Sequence, residues 1–254
     1  MNKGLEKAIR TPDAIRAQWE AKISVSNSKT GIPSFNTLAG TGIYNGCTPR
    51  TERALNAFTA AGIDLNDLPV ATCNCDCPGC YAKKLTRYTA VFISYVKNTW
   101  IARNAPEKIK NAVNGFIKAK QPDKFRIHDS GDFFSYEYLI LWDRIARENP
   151  NTRFYTYTKR LDLIERFEKE YHRTPAFILQ LSTWAGIVEL KDLIARQLEK
   201  YPRFEYDDNT RPELKAVKHC PAVDANGKRT GITCAQCGHC SRAKFGDIWA
   251  VYAH

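Results

Sequence analysis

The fold is predicted from residues 124–158, KFRIHDSGDFFSYEYLILWDRIARENPNTRFYTYT. Their pattern indicates a strand, a loop, a helix and a second strand. Lys124–His128 and Arg153–Thr158 are short β-prone runs, and Tyr136–Glu148 between them has apolar residues at helical spacing. The inward positions of that helix are Leu139, Trp142, Ile145 and Ala146. Strands that alternate with helices of this length indicate parallel pairing, so the predicted class is α/β.

The same alternation continues on both sides of this stretch. The further predicted elements are a strand ending in the cysteines at 68–73, helices at 86–103, 106–118 and 161–170, a strand at 176–182 and a helix at 187–200. We expect a partial β/α barrel, a parallel sheet with helices, followed by a small cysteine-rich metal subdomain. The predicted divisions are an N-terminal helix and loop region at 1–66, an α/β core at 67–200 and that subdomain at 201–254.

Composition limits the classes of protein that the chain can represent. It has 254 residues, and no apolar run approaches the roughly 20 residues of a membrane span. The start, MNKGLEKAIR, lacks the apolar segment of a signal peptide, so we expect a cytoplasmic protein without a membrane partner. Eight of the nine cysteines fall into two groups of four, with Cys47 alone, and in a reducing compartment such clustered thiols predict metal ligands or catalytic groups before disulfides.

The charge predicts an anionic partner. The formal net charge is +11, which is typical of proteins that bind a nucleic acid or a nucleotide. A solvated basic surface would give the same net charge, and so would basic side chains that balance the negative charge of thiolates. The sequence does not indicate an oligomeric state.

The distal cysteines are Cys220, Cys234, Cys237 and Cys240. Three of them follow in consecutive steps of C-x2-C, as in ferredoxin-type clusters, and Cys220 would supply the fourth ligand. A structural zinc ion is the alternative, and His219 or His239 would then replace or support a cysteine. The sequence predicts a second 4Fe–4S cluster or zinc here.

The proximal cysteines occupy TCNCDCPGCYAKK, residues 72–84. Cys73, Cys77 and Cys80 have the C-x3-C-x2-C spacing after a strand, which resembles the signature of radical S-adenosylmethionine (SAM) enzymes. That resemblance implies a 4Fe–4S cluster with one iron open to SAM, whose reductive cleavage gives a 5′-deoxyadenosyl radical. Gly79 departs from the aromatic residue usual before the last cysteine, and Cys75 would close the site if it took the fourth iron.

Polar loops follow the next strands, and ligands of parallel sheets bind at such carboxyl ends. In HDSGD, Gly131 and Asp132 stand where radical SAM enzymes carry a Gly-Gly-Glu-like motif for the SAM amino group, although one glycine and the glutamate are lacking. His128, Asp129 and Lys159 are the candidate catalytic residues, and Ser182 is a further candidate for nucleoside contact. There are three alternatives to these roles. They are turn and helix capping by Asp129, Asp132 and Ser182, a solvated role for Lys159, and two-metal phosphodiester cleavage.

A nearer resemblance covers residues 25–240. The motifs that are similar to the phage gene product 88 family are NSKTG, TC…C…CYA, RIHDSGDFFS…YL..W..IA…P…FYTYTK and a closing TC..C..C. The resemblance implies a phage-associated protein in the host cytoplasm, the metal sites and the α/β core, but no reaction. The predicted function is a radical SAM-like iron–sulfur enzyme acting on a nucleic acid or nucleotide. The alternative is a non-catalytic, metal-stabilised nucleic-acid-binding protein.

Overall fold

The strands and helices alternate along the chain as the sequence predicts. The computed structural model describes residues 16–26, 30–39, 56, 72–73, 80, 82, 85, 88–184, 187–207 and 211–252. The predicted strand at 68–73 therefore falls inside the described residues only at Thr72 and Cys73, and most of the predicted N-terminal region lies outside them.

The described strands form one eight-stranded sheet in the order β1-β2-β3-β4-β5-β6-β8-β7. Their bounds are β1 Ile23–Ser24, β2 Ser34–Phe35, β3 Lys124–Ile127, β4 Arg153–Thr158, β5 Phe177–Thr183, β6 Arg203–Asp207, β7 Lys218–His219 and β8 Ile248–Tyr252. β1 pairs with β2 in antiparallel orientation, and the other pairs are parallel. The prediction of a mostly parallel α/β sheet is thus confirmed.

Apart from a short helix at Cys234–Cys237, which the sequence did not predict, the helices overlap the positions that the apolar periodicity predicts. Their bounds are α1 Thr89–Asn104, α2 Glu107–Lys120, α3 Tyr136–Glu148, α4 Leu161–Glu170, α5 Leu190–Ala195 and α6 Cys234–Cys237, with 3-10 turns at Pro212–Ala216 and Cys240–Arg242. The Ser135 side chain caps α3 by accepting a hydrogen bond from the Tyr138 N–H at 3.2 Å. α5 is shorter than the predicted helix at 187–200 because the chain turns at Arg196–Gln197, where Gln197 has a φ of 58°.

Alternation along the strands gives the sheet an apolar face and a polar face. Phe125 and Phe154 point to the apolar face, where their ring centroids lie 5.5 Å apart and Trp142 of α3 packs on Phe125 at 6.1 Å. The neighbouring positions Arg126 and Tyr155 are paired across β3 and β4 and point to the opposite side. We call that side, defined by Arg126, Tyr155, Tyr157 and Gln180, the polar face.

The C-terminal part of the chain contributes to the same sheet. β6, β7 and β8 all come from residues 201–254, and β6 pairs with β5 of the core. The described residues of this segment are therefore joined to the core by strand pairing. No helix in the described ranges is long and apolar enough to cross a membrane.

Candidate functional site at the strand ends

The loop after β3 is tied to the chain that continues from β2. The Thr37 N–H donates to the Ser130 carbonyl at 3.0 Å, and the Ser130 hydroxyl donates to the Thr37 carbonyl at 2.8 Å. The side-chain carbonyl of Asn36 accepts from the backbone N–H of Asp129 at 2.6 Å. These bonds hold the HDSGD loop at the carboxyl end of two parallel neighbours.

Thr72 connects the start of the cysteine loop to the HDSGD loop. Its N–H donates to the Leu38 carbonyl at 3.0 Å, and its hydroxyl lies 2.8 Å from that of Thr37. The Asp132 N–H donates to the Thr72 hydroxyl oxygen at 3.0 Å. The next residue, Cys73, forms a parallel bridge with Ala39. The cysteine loop therefore begins directly beside the loop predicted to bind SAM.

Gly131 is required at this junction by both conformation and space. Its φ is +100°, a conformation that side chains other than glycine rarely adopt. A Cβ atom would lie 1.9 Å from the Thr37 hydroxyl oxygen and 2.7 Å from that of Thr72. The glycine thus has a packing reason in addition to any ligand role.

Asp132 links the strand ends through its carboxylate. One oxygen accepts from the Thr158 hydroxyl and the Phe133 N–H, each at 2.7 Å, and the other accepts from the Lys159 N–H at 2.9 Å. Burial raises the pKa of this carboxyl group, while the hydrogen bonds act in the opposite direction. A carboxylate has about four lone-pair sites, so these bonds leave about one of them for a further donor.

Asp129 forms an ion pair with Arg126 at 2.9 Å. The second carboxylate oxygen accepts from the Ser34 hydroxyl at 3.1 Å. The Arg126 guanidinium lies 4.8 Å from the centroid of the Tyr157 ring. Asp129 therefore places a paired charge at the end of β3, next to the polar face.

His128 lies in the core and not at the surface of the site. The residue is 3% exposed, and its ring packs on Phe133, Tyr138 and Trp142. Nε2 is 2.9 Å from the Tyr138 hydroxyl oxygen. Burial lowers its pKa to about 3, with Arg126 adding to the effect. This placement favours a packing role for a residue predicted to be catalytic.

Lys159 and the end of β5 form a second part of the edge. The Lys159 Nζ lies 5.1 Å from the centroid of the Trp184 ring, which also stacks on Tyr206 at 4.0 Å. The Trp184 ring N–H donates to the Ser182 hydroxyl at 3.2 Å. Lys159 and Ser182, predicted separately, are thus brought to the same indole.

Of the distal cysteines, Cys240 lies against the polar face of the sheet, where the Gln180 amide donates to the Cys240 carbonyl at 3.0 Å. Burial raises the pKa of the Cys240 thiol to about 12, a hydrogen bond from Tyr157 lowers it, and the nearby thiols of Cys220 and Cys234 raise it. Cys237 lies at the other end of α6 from Cys234. His219 and His239, the alternative ligands, stack on Tyr252 and Trp249 at 4.0 and 4.3 Å.

By residue type the distal cysteines suit a thiophilic metal, because thiolate sulfur is the ligand that such metals prefer. Within the described ranges, however, no set of three or more His, Cys, Asp or Glu side chains has the geometry of a metal site. Of the proximal cysteines, Cys73 and Cys80 are described and partly exposed, whereas Cys75 and Cys77 lie outside the described residues.

Thr72 and Gln180 are site residues that the sequence does not single out. Thr72 directly precedes the first cysteine of the signature, and this position is the only signal that it gives. Tyr157 carries the alternation of FYTYT, but only its observed pairing with Gln180, whose amide contacts the Cys240 carbonyl, shows that it lies on the face of the sheet next to Cys240.

Comparison with known proteins identifies relatives but no solved structure. The sequence model described as "Gene product 88" matches residues 26–243. The "Gene 88 protein" of Mycobacterium phage L5 is 30% identical over 180 residues, which cover 63% of this chain and 72% of that protein. The "Gene 88 protein" of Mycobacterium phage D29 is 31% identical over 182 residues, with the same shares. No solved structure matches the chain.

Proposed function

The chain belongs to the gene product 88 family, and we propose that it is an iron–sulfur protein, a radical SAM-like enzyme acting on a nucleic acid or nucleotide. In this proposal the sheet is curved as a partial β/α barrel, and the reaction takes place at the carboxyl ends of its strands. The protein is phage-associated and acts in the host cytoplasm.

The contact between Thr72 and Asp132 carries the proposal. It joins the start of the C-x3-C-x2-C loop to the Ser-Gly-Asp loop through one hydrogen bond of 3.0 Å. A cluster on Cys73, Cys77 and Cys80 would then have Gly131 and Asp132 as neighbours. This is the arrangement that a cofactor needs when it binds an iron and a carboxylate at the same time.

Each residue has one task in this arrangement. Cys73, Cys77 and Cys80 would hold the proximal 4Fe–4S cluster, which would supply one-electron reduction for the cleavage of SAM. Asp132 would accept a hydrogen bond from the SAM amino group on the lone-pair site that its three hydrogen bonds leave over. Asp129, paired with Arg126, keeps the neighbouring loop in place.

The substrate side of the site is assigned to Lys159 and Ser182. The Lys159 ammonium group, held over Trp184, is suited to a phosphate of a nucleotide or a nucleic acid. The net charge of +11 supports an anionic substrate of this kind.

The distal cysteines complete the proposed metal content. Cys220, Cys234, Cys237 and Cys240 hold a second 4Fe–4S cluster or a zinc ion. Because Cys220 directly follows β7 of the sheet and Cys234 and Cys237 lie on α6, a metal held by all three would link that helix to the sheet and contribute to folding.

A non-catalytic, metal-stabilised nucleic-acid-binding protein is the second candidate. It is favoured by the burial of Asp132, which is 4% exposed and already accepts three hydrogen bonds. In that candidate Asp132 only ties the strand ends, and Cys75 closes the proximal site as a fourth ligand.

One experiment separates the two candidates. The wild type, Cys75→Ala, Cys80→Ala and Asp132→Asn are reconstituted anaerobically with iron and sulfide, and iron content and 5′-deoxyadenosine release are measured with SAM and a strong reductant. The enzyme predicts full iron and cleavage in Cys75→Ala, loss of cluster in Cys80→Ala, and weak SAM binding with full iron in Asp132→Asn. Iron loss in Cys75→Ala, with no cleavage by the wild type, would establish the binding protein instead.

A further inference from the structure

We propose that one side of the sheet, over β5, β6, β8 and β7, binds a single-stranded nucleic acid whose bases stack on its aromatic side chains. The inference rests on the nucleic acid named in the proposed function, and it narrows that partner to unpaired bases. It also extends the binding surface beyond Lys159 and Ser182.

The register of the strands brings aromatic side chains together on this side. Ser182, Phe204 and Trp249 are paired across β5, β6 and β8, so their side chains point the same way. Tyr206 and Trp184 each lie two residues further along and return to that side. Their rings stack with centroids 4.0 Å apart and planes 7° from parallel. We call this group, defined by Trp184, Phe204, Tyr206 and Trp249, the stacking surface.

The burial pattern of β6 is the reverse of the one that packing alone would give. Phe204 and Tyr206 are partly exposed, whereas the alternate residues Glu205 and Asp207 are 4% and 3% exposed. A strand that only packs on a core buries its apolar side chains and leaves its charges in water. Here the strand keeps aromatic rings accessible on one side, which is typical of a binding surface.

The two carboxylates of β6 are kept away from the stacking surface. Because Glu205 and Asp207 alternate with the aromatic residues, they point to the opposite side of the sheet. There Glu205 pairs with Arg211 at 2.8 Å, and Asp207 lies 2.9 Å from Nε2 of His219. The negative charge of this strand is therefore paired on the side that does not carry the rings.

Lysine side chains lie over the stacking surface at both ends. The Lys159 Nζ is 5.1 Å from the centroid of the Trp184 ring, and the Lys218 Nζ is 5.8 Å from that of Trp249. Lys218 is paired with Trp249 across β7 and β8, so the pairing of the strands fixes this contact. Aromatic rings with bordering ammonium groups are complementary to bases joined by phosphates.

Stacking on side chains selects a single strand over a duplex. The faces of paired bases are covered by their neighbours in a duplex, whereas unpaired bases can be splayed out onto aromatic rings. Tyr206 pairs with Val251, so Tyr206 and Trp249 are diagonal neighbours on adjacent strands. Two bases of one strand can therefore stack at separate positions. Since every base has a π face, we expect little preference for sequence.

The test measures the binding of a fluorescein-labelled oligothymidylate of about 12 nucleotides to the anaerobically purified full chain by fluorescence anisotropy. A labelled duplex of the same length is measured in parallel. Tyr206→Leu removes a ring of the stacking surface, and Tyr206→Phe keeps one. We expect tighter binding of the single strand than of the duplex. Binding of the single strand should be about 5–100-fold weaker in Tyr206→Leu and unchanged in Tyr206→Phe.

Phe245→Leu is the matched control. Phe245 is 52% exposed, and its ring centroid lies 5.5 Å from the Arg173 guanidinium and 5.6 Å from the Lys200 Nζ. The same chemistry is thus present there, but Phe245 precedes β8 and lies at the amino end of the strand, away from Tyr206. Affinity for the single strand should be unchanged in this variant.

The outcomes separate this inference from the proposed function. Equal affinity for single strand and duplex, or unchanged affinity in Tyr206→Leu, overturns the stacking surface and leaves a nucleic acid as the partner. Absence of binding to both probes overturns the inference together with the nucleic-acid part of the proposed function. If Tyr206→Leu does not fold, Lys218→Gln at an exposed position decides, and an unchanged salt dependence of its binding overturns the inference.

Discussion

The hydroxyl of Thr72 accepts a hydrogen bond from the backbone N–H of Asp132 at 3.0 Å, and this bond joins the two loops of the candidate site. Thr72→Val keeps the shape of the side chain but leaves the buried N–H without its partner. We expect a loss of about 1–3 kcal/mol in the free energy of unfolding, measured by urea denaturation, and lower iron content.

A matched control lies on β4. Thr156 is also buried, but its hydroxyl has no hydrogen-bond partner among the described residues. Thr156→Val should therefore be neutral or stabilising. Equal destabilisation by the two substitutions would show that the Thr72 bond has no special role.

Gly131→Ala is expected to be strongly destabilising. The new Cβ would lie 1.9 Å from the Thr37 hydroxyl oxygen, and the φ of +100° would be strained as well. Thr37→Ala in the same chain should recover part of the loss, because it removes the closest contact but neither the 2.7 Å contact with the Thr72 hydroxyl oxygen nor the strain. Gly115→Ala in α2, with nothing within 4 Å of the new Cβ, is the control and should be neutral or stabilising by up to about 1 kcal/mol.

Acid should destabilise the protein through His128. The buried ring has a pKa lowered from 6.5 to about 3, so between these pH values the unfolded chain binds a proton that the folded chain does not. The contribution of the neutral ring to the free energy of unfolding is fully present above pH 6.5. It is lost by about 1.4 kcal/mol per pH unit as the pH falls towards 3.

Urea denaturation at several pH values measures this slope. His128→Asn removes the titrating ring and suits the φ of 62° at this position, so its stability should depend less on pH. Asp132, whose pKa is raised by burial, is present in both proteins, and its contribution cancels in the comparison. Parallel profiles of the free energy of unfolding against pH in the wild type and in His128→Asn would contradict a buried, neutral histidine.

Binding to a nucleic acid should weaken steeply with salt. Lysine and arginine contacts to phosphates release counterions, so a gel-shift titration at two salt concentrations gives the number of contacts. Lys159→Ala should lower by about one the slope of the logarithm of the binding constant against the logarithm of the salt concentration. Lys118→Ala, at an exposed position of α2, should leave this slope unchanged. Absence of binding at low salt would indicate that the net positive charge serves solubility and balances the negative charge of the thiolates.

The sequence predicts the fold more fully than the site. Helices such as Tyr136–Glu148 and Leu161–Glu170 have the predicted bounds because their apolar spacing and flanking polar residues are local signals. The joining of β6, β7 and β8 to the core sheet depends on pairings between distant segments, which no local pattern specifies.

The same difference applies to the site residues. The order of strands predicted that the cysteine and HDSGD loops would meet, and Thr72 and Asp132 are in contact. His128 was predicted to be catalytic but is buried, with a φ of 62° and its ring packed on Tyr138 and Trp142. Periodicity gave Tyr155 and Tyr157 a common side, but only the sheet pairing shows that this side faces Cys240.

The metal content of anaerobically purified protein is the most direct test of the proposed iron–sulfur sites. We expect brown protein with broad thiolate-to-iron absorption, iron and acid-labile sulfide, with the proximal share lost in Cys80→Ala. Colourless protein that contains stoichiometric zinc and cannot be reconstituted with iron and sulfide would contradict these sites.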